Sequence, residues 1–535
     1  MNYIAFLESS LALIPFGLMM ISLATIRLLK GNSPKIWSVL LKLSLLASLT
    51  ASFSLGLQLS QSTEYGAYSQ IMPGLGIGLM GAWFTLLIQG LGTIITAFSQ
   101  RYLEGEPGQE RYVAALSAVL AAVQLLVVAD HWIILIGAWV GTGFALQRLL
   151  CFYNDRPFAV LAAHKKFLAD RLADVFLVCA ACIATNEVGS GSISVLLHHV
   201  VVHGASNYMQ ICAALLVLAV AIRTAMLPVH GWLIQVMEAP TPVSALLHAG
   251  VVNLGGYVMI RFSPLLELVT TAQTLLVVVG LSTAILAGFV MLTRISIKVR
   301  LAWSTLAQMG FMVLECGLGL YQLAALHLIG HSLYKAHAFL SAGETVRSMR
   351  FSEMRGTWRP LPWNMLLAPV LSSALVFTIS SFATGLMRMH WPWWWNAVLA
   401  MAWAPILWIR VDRMRFTVVS QRLLHGCFLV VLMTVLAYVG HALPMGVSTF
   451  PHGVHGQFTL AAMILVYFGT AAMQMSEWKH LLEPLRRQSY AGFYLDEAYT
   501  RLALHFWPVK LPTNYQPLDA KPKVAVARVQ KLLLP

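Results

Sequence analysis

Residues 223–261 read RTAMLPVHGWLIQVMEAPTPVSALLHAGVVNLGGYVMIR. The stretch sets Arg223, His230, Glu238 and His248 inside apolar sequence and interrupts it with Pro228, Pro240 and Pro242. Proline removes a backbone donor and crowds the preceding turn, so a helix kinks or ends there. In hydrocarbon such a break persists only where neighbouring helices or water satisfy the freed backbone groups. An ionisable side chain at that depth costs roughly 2.5–3.5 kcal/mol on insertion scales, and it is retained where it has a function. A broken helix carrying buried charge predicts a path for ions or protons.

The surrounding sequence sets the scale. Of 535 residues, 58% are hydrophobic and 10% charged, against about 25% charged in soluble domains. Apolar runs of about 20 residues, the length that crosses a bilayer, centre near residues 16, 48, 85, 120, 142, 176, 216, 250, 277, 309, 333, 374, 400, 430 and 466. They predict an all-α polytopic membrane protein with about 14–15 transmembrane helices. The transmembrane domain is expected at 1–475 and a polar tail at 476–535. The first apolar run contains Glu8 and lacks a basic start, so it reads as a span and not as a cleavable signal.

The net charge of +14 raises the question of nucleic acid, and its distribution answers it. Lys30, Lys35, Arg101, Arg111, Arg156, Lys165, Lys166, Arg294, Lys298, Arg300, Arg347, Arg350, Arg355, Arg359, Arg410, Arg413, Arg415 and Arg422 all follow odd-numbered runs. The loops at 60–72, 186–206 and 441–456 contain no Lys or Arg, and only Arg261 and Arg388 lie near that face. The positive-inside rule then places the N-terminus outside and the C-terminus in the cytoplasm, in a cell inner membrane.

No phosphate loop, nucleotide fingerprint or haem motif is present, and no cofactor is expected. Cys179 and Cys182 have CxxC spacing but sit within an apolar run without His or Cys partners, so they read as small packing residues. From Glu477 the tail mixes apolar and basic residues at roughly helical spacing, as an interfacial helix or a partner-docking segment would.

The buried ionisable groups point to chemistry. Arg223 stays charged at any accessible pH and must face water or a carboxylate. His248 lies in the small-residue segment PVSALLHAG, which favours close helix packing. His327, His331 and Lys335 recur every four residues and so share one helix face, with Glu344 further on. A His pair four apart also suits zinc, but no carboxylate or Cys completes a set and Lys335 would repel a cation. The row therefore reads as a proton or ion relay, histidine titrating near neutral pH. Asp130 with His131 begins one run, and Arg171 with Asp174 begins the next as a local ion pair. Glu238 and Glu315 are candidate partners for buried cations, while His198, His199 and His203 read as a solvated loop.

Between about residues 73 and 350 the chain resembles the antiporter-like membrane subunits of respiratory complex I and of Mrp cation antiporters. VVADHWIILIGAWVGTG, FLADRLADVF, RTAMLPVHGWL, APTPVSALLHAG, KVRLAWSTLAQMGF and HLIGHSLYKA carry the likeness, and GFYLDEAYTRL resembles the end of the longest such subunits. The resemblance implies two inverted five-helix repeats with broken helices at 223–240 and near 362–390. It also implies relay roles for Arg223, His248, Lys298, His327, His331 and Lys335. Val140 stands where complex I subunits carry a glutamate, Arg223 stands where that glutamate's lysine partner falls, and in the second broken helix only Arg388 is a loose candidate. The wording VHGWLIQVMEAPTPVSALLHAGVVN is most similar to the DabB type, the membrane subunits of DAB inorganic-carbon accumulation complexes. That implies a transporter subunit without its own catalytic or metal site. Its cation flow would drive carbon dioxide hydration in a zinc-bearing, carbonic-anhydrase-like, cytoplasmic-facing partner of DabA type. A complex I or Mrp pumping subunit and a non-conducting membrane scaffold are the alternatives.

Overall fold

The computed structural model describes residues 3–29, 31–61, 69–343, 362–387, 390–409, 416–447, 451, 453–474 and 479–509. Apolar runs with no water to bind their amides close their hydrogen bonds internally and become helices. The first are α1 (Tyr3–Leu28), α2 (Ser33–Gln61), α3 (Leu79–Tyr102), α4 (Gln109–Val128), α5 (Trp132–Leu150), α6 (Pro157–Val188), α7 (Ile193–His203) and α8 (Asn207–Arg223). After α8 the helix breaks. It resumes as α9 (Gly231–Gln235) and a 3₁₀ turn (Val236–Glu238), then α10 (Thr241–Leu246), a π-turn (Leu247–Val251), α11 (Leu254–Arg261) and α12 (Ser263–Glu267). Next come α13 (Thr270–Thr293), α14 (Ile297–Gly317), α15 (Tyr321–Leu340), α16 (Pro362–Met387), α17 (Trp393–Trp403), α18 (Phe416–His441) and α19 (Gly453–Gln474). The tail forms α20 (Lys479–Tyr490) and α21 (Leu495–Phe506).

Ten of these segments are long and apolar enough to cross a membrane, among them the joined span 241–261. The remaining expected spans fall on α6, α14 and α15, on the broken pair α8–α9, and on the short α17. The chain is a multi-pass helical membrane protein. The described sheet is one hairpin, Ser69–Met72 paired antiparallel with Leu75–Ile77, and its Leu75 bridges to Ala129. Residues 69–72 of the expected loop 60–72 therefore form a strand. His198, His199 and His203 likewise stand on helix α7 and not in a loop, with the His199 and His203 rings stacked at 4.4 Å.

Every residue from Thr241 to Gly250 is buried, so this span is the axis of the bundle. Glycine permits that density: a Cβ on Gly255 would collide with Val220 and Thr224 of the α8 end, and one on Gly256 with Met312 of α14.

Two expectations about the spans are corrected. Cys179 and Cys182 are exposed on α6, facing outward from the bundle instead of packing within it. The second break does not occur within 362–387, where α16 runs as one helix through Pro369. Pro369 cannot donate to the carbonyl of Met365, but the Tyr467 hydroxyl of α19 does so at 2.7 Å. The irregular turn comes later, where α17 tightens to 3₁₀ geometry over Ala404–Leu407 beside Pro405. Arg388 and Glu344 lie outside the described residues.

Candidate ion pathway

Helix α6 starts with proline in its first turn and runs far enough to carry Lys166, Asp170 and Asp174 at four-residue intervals on one face. Lys166 and Asp170 are buried. The Lys166 ammonium donates to Asp170. Arg223, the last residue of α8, donates through Nη2 to Asp174, lies with Nε 3.7 Å from Asp170, and donates through Nη1 to the Trp139 carbonyl at 3.1 Å. Arg171 meets the other Asp174 oxygen at 2.8 Å. Trp139 and Trp232 lay their ring faces 5.5 Å from Arg223 and Lys166. Three cations thus share two carboxylates. A cavity lined by Lys166, Asp170, Arg223, Trp139 and Val251 has room for about one water molecule.

Val140 is half-buried on α5, and the carboxylates that meet Arg223 come from α6. The Arg171–Asp174 pair exists, but it sits mid-helix and is shared with Arg223, because α6 begins at Pro157 and not near residue 170. Lys166 and Asp170 were missed as site residues. Their spacing with Asp174 was the available signal.

The cluster abuts the 241–261 span, whose Val251 and Val252 line the same cavity. Here the Val252 amide donates to the Leu247 carbonyl at 3.0 Å, the wider spacing of a π-turn, a feature frequent at functional sites. His248 lies on that turn and stacks on Phe339 of α15 at 4.5 Å. Both its ring nitrogens are buried without a partner among the described residues. One turn on, Asn253 donates to Ser332 at 2.6 Å, tying the axis to α15.

Helix α15 carries His327, His331 and Lys335 as the spacing predicted. Lys335 is fully buried, and its ammonium donates to the Ser304 hydroxyl at 2.7 Å and the Leu301 carbonyl at 3.3 Å. His331 is buried with both nitrogens unpartnered among the described residues, within electrostatic reach of His327, Lys335 and His248. The partly buried His327 bridges Glu315 at 2.8 Å and Gln308 at 2.8 Å.

Other predicted residues fall elsewhere. Lys298 donates to Thr241 at 2.9 Å where α10 begins. Glu238 lies 3.6 Å from Arg156, with both side chains partly exposed, and so holds no buried cation. Asp130 sits at the opposite end of the bundle, where Arg261 meets it at 3.3 Å and the Ser194 hydroxyl donates at 2.7 Å. It is part of neither polar site.

Residues 129–410 match the family described as NADH:quinone oxidoreductase/Mrp antiporter, TM. The chain is 38% identical over 476 residues to the "Probable inorganic carbon transporter subunit DabB" of Hydrogenovibrio crunogenus, covering 86% of this chain and 90% of that one. It is 36% identical to the "Probable inorganic carbon transporter subunit DabB2" of Halothiobacillus neapolitanus, over 79% of each. In three dimensions it is similar to a chain of the Mrp complex from Dietzia sp. DQ12-45-1b, with TM-score 0.60 and 21% identity over 99% of this chain and 63% of that longer one. At that identity the likeness is one of fold.

Proposed function

This chain belongs to the NADH:quinone oxidoreductase/Mrp antiporter transmembrane family, and from that premise we propose that it conducts a cation, taken here as the proton, for an inorganic-carbon transporter. In this reading it is no enzyme itself. Cation flow through it energises one-way carbon dioxide hydration in a zinc-bearing, carbonic-anhydrase-like partner. The relatives' names supply the carbon substrate.

One observation carries the conducting role. From Lys166, Asp170 and Arg223 a row of ionisable groups continues through His248 to Lys335, His331 and His327 within the bundle. Histidine nitrogens left unpaired in hydrocarbon are costly as packing and useful as water-linked relay points. The first cluster holds three cations against two carboxylates and so sets the local potential, and Lys335 and the histidines supply sites where a proton is taken up and released.

Purification with the natural partner tests the substrate class. A co-purifying zinc protein that supports bicarbonate-dependent growth is expected; a flavin and iron–sulfur assembly would instead favour the complex I reading. The basic loops are assigned to the cytoplasm on the Lys/Arg asymmetry. Single cysteines at Asn207 and Glu106, both exposed at opposite ends of the bundle, should label from outside and from inside respectively. The reverse pattern defeats the orientation.

A further inference from the structure

The C-terminal helix α21 does not hang free of the bundle. Phe493 and Tyr494 take left-handed backbone angles, φ 55° and 56°. Such angles are uncommon for bulky residues and persist where the surroundings enforce them. The bend turns α21 under the broken helix. There the Asp496 carboxylate accepts from Lys165 at 2.5 Å and from Gln235 at 3.0 Å. Gly231 makes the space, since a Cβ at that position would overlap Asp496. Thr500 accepts a second Lys165 bond at 2.9 Å, and the Tyr499 hydroxyl donates to the Lys165 carbonyl at 2.8 Å.

Lys165 is 0% exposed, and its ammonium's polar side-chain partners come from the tail. It immediately precedes Lys166 of the first polar cluster. His230, also fully buried and with Nε2 unpartnered among the described residues, lies within electrostatic reach of Asp496 and Lys165. Burial, and after it the charges of Asp170 and Asp496, push the Tyr499 phenol up, so the tail ring is near the cluster's own carboxylate.

A plain anchor does not need this arrangement. Buried ion pairs contribute little net stability compared with well-packed apolar residues, and α21 already packs with Tyr499 and Ala503. The placement of one carboxylate among Lys165, Gln235 and His230, beside the Lys166 cluster, has a different rationale. We infer that Asp496, carried in by the C-terminal helix, is the inlet carboxylate of the ion pathway, completing the first polar cluster at the face of the basic loops. The inference rests on the conducting role proposed above. It makes the tail part of the transport machinery, so a partner that grips the tail acts on the pathway directly.

The test uses the full chain in complex with its natural partner and measures carbon uptake beside complex yield. Asp496→Asn is expected to lower uptake per assembled complex about tenfold or more, a barrier change of at least about 1.4 kcal/mol. Asp496→Glu should retain most uptake, and Gly231→Ala should reproduce the loss by displacing an intact carboxylate. The double variant Lys165→Met with Asp496→Leu separates transport from anchorage, because it removes the pair without stranding a buried charge. It should assemble and remain inactive. Wild-type uptake in Asp496→Asn overturns the inference, as does a double variant that regains uptake or fails to assemble. If instead Lys335→Ala keeps full uptake, the conducting role itself falls; loss in Lys335→Ala with full uptake in Asp496→Asn removes the inlet assignment alone.

Discussion

At the Arg223 cluster three cations lie against two carboxylates, whereas on α15 Lys335 is buried as completely with a hydroxyl and a carbonyl for company. A guanidinium held by Asp170 and Asp174 is a fixed charge: it does not lose its proton and its field is partly cancelled. An ammonium held among the described residues by neutral oxygens is a conditional charge, since lysine shifts its titration readily on burial and no described carboxylate compels it to stay protonated. The difference divides the labour along the row. In the proposed role the first site would set the local potential and the second would perform the proton exchange.

The largest effect should follow from removing the conditional charge. Lys335→Ala is expected to abolish carbon uptake, at least a hundredfold loss or about 2.7 kcal/mol in barrier terms, while complex yield holds. Normal uptake at full yield would erase the distinction between the two sites. The fixed site should respond in stability. Asp170→Asn leaves Lys166 and Arg223 short of a buried carboxylate, and breaking such a pair costs about 3–5 kcal/mol. Its thermal unfolding in detergent should drop well below that of the parent, whereas Lys335→Ala should melt close to it. Equal melting temperatures would show that the two sites do not differ in this way. At the small end, Cys179→Ala touches neither site and should change uptake and melting by less than the scatter of the measurement, as exposed substitutions do.

Much of this was legible in residue spacing. The HLIGHSLYK period placed His327, His331 and Lys335 on one face, and the three prolines placed the break. The partners of Arg223 were harder to see because they lie about 50 residues away on α6, and the adjacent Arg171 offered Asp174 a nearer match. Pairing across helices depends on which faces meet, and apolar periodicity says little about that when every face is apolar. Pro369 misled for a related reason: proline predicts a missing donor, but a hydroxyl delivered by Tyr467 from another helix is invisible in the local sequence. Asp496 was hidden by its region, since an amphipathic tail read as an interfacial or docking helix gives no sign that its carboxylate lies among Lys165, Gln235 and Gly231.

The π-turn at Leu247–Val251 has a mechanical meaning. It stores one residue more than an α-helical turn would hold, so returning it to α geometry would advance the helix phase by about 100°. Above the turn Asn253 is tied to Ser332 and Arg261 to Asp130. Below it Lys298 holds Thr241, and His248 lies on the turn itself. A change of phase there would turn the His248 ring off Phe339, so the turn couples backbone register to the position of that ring.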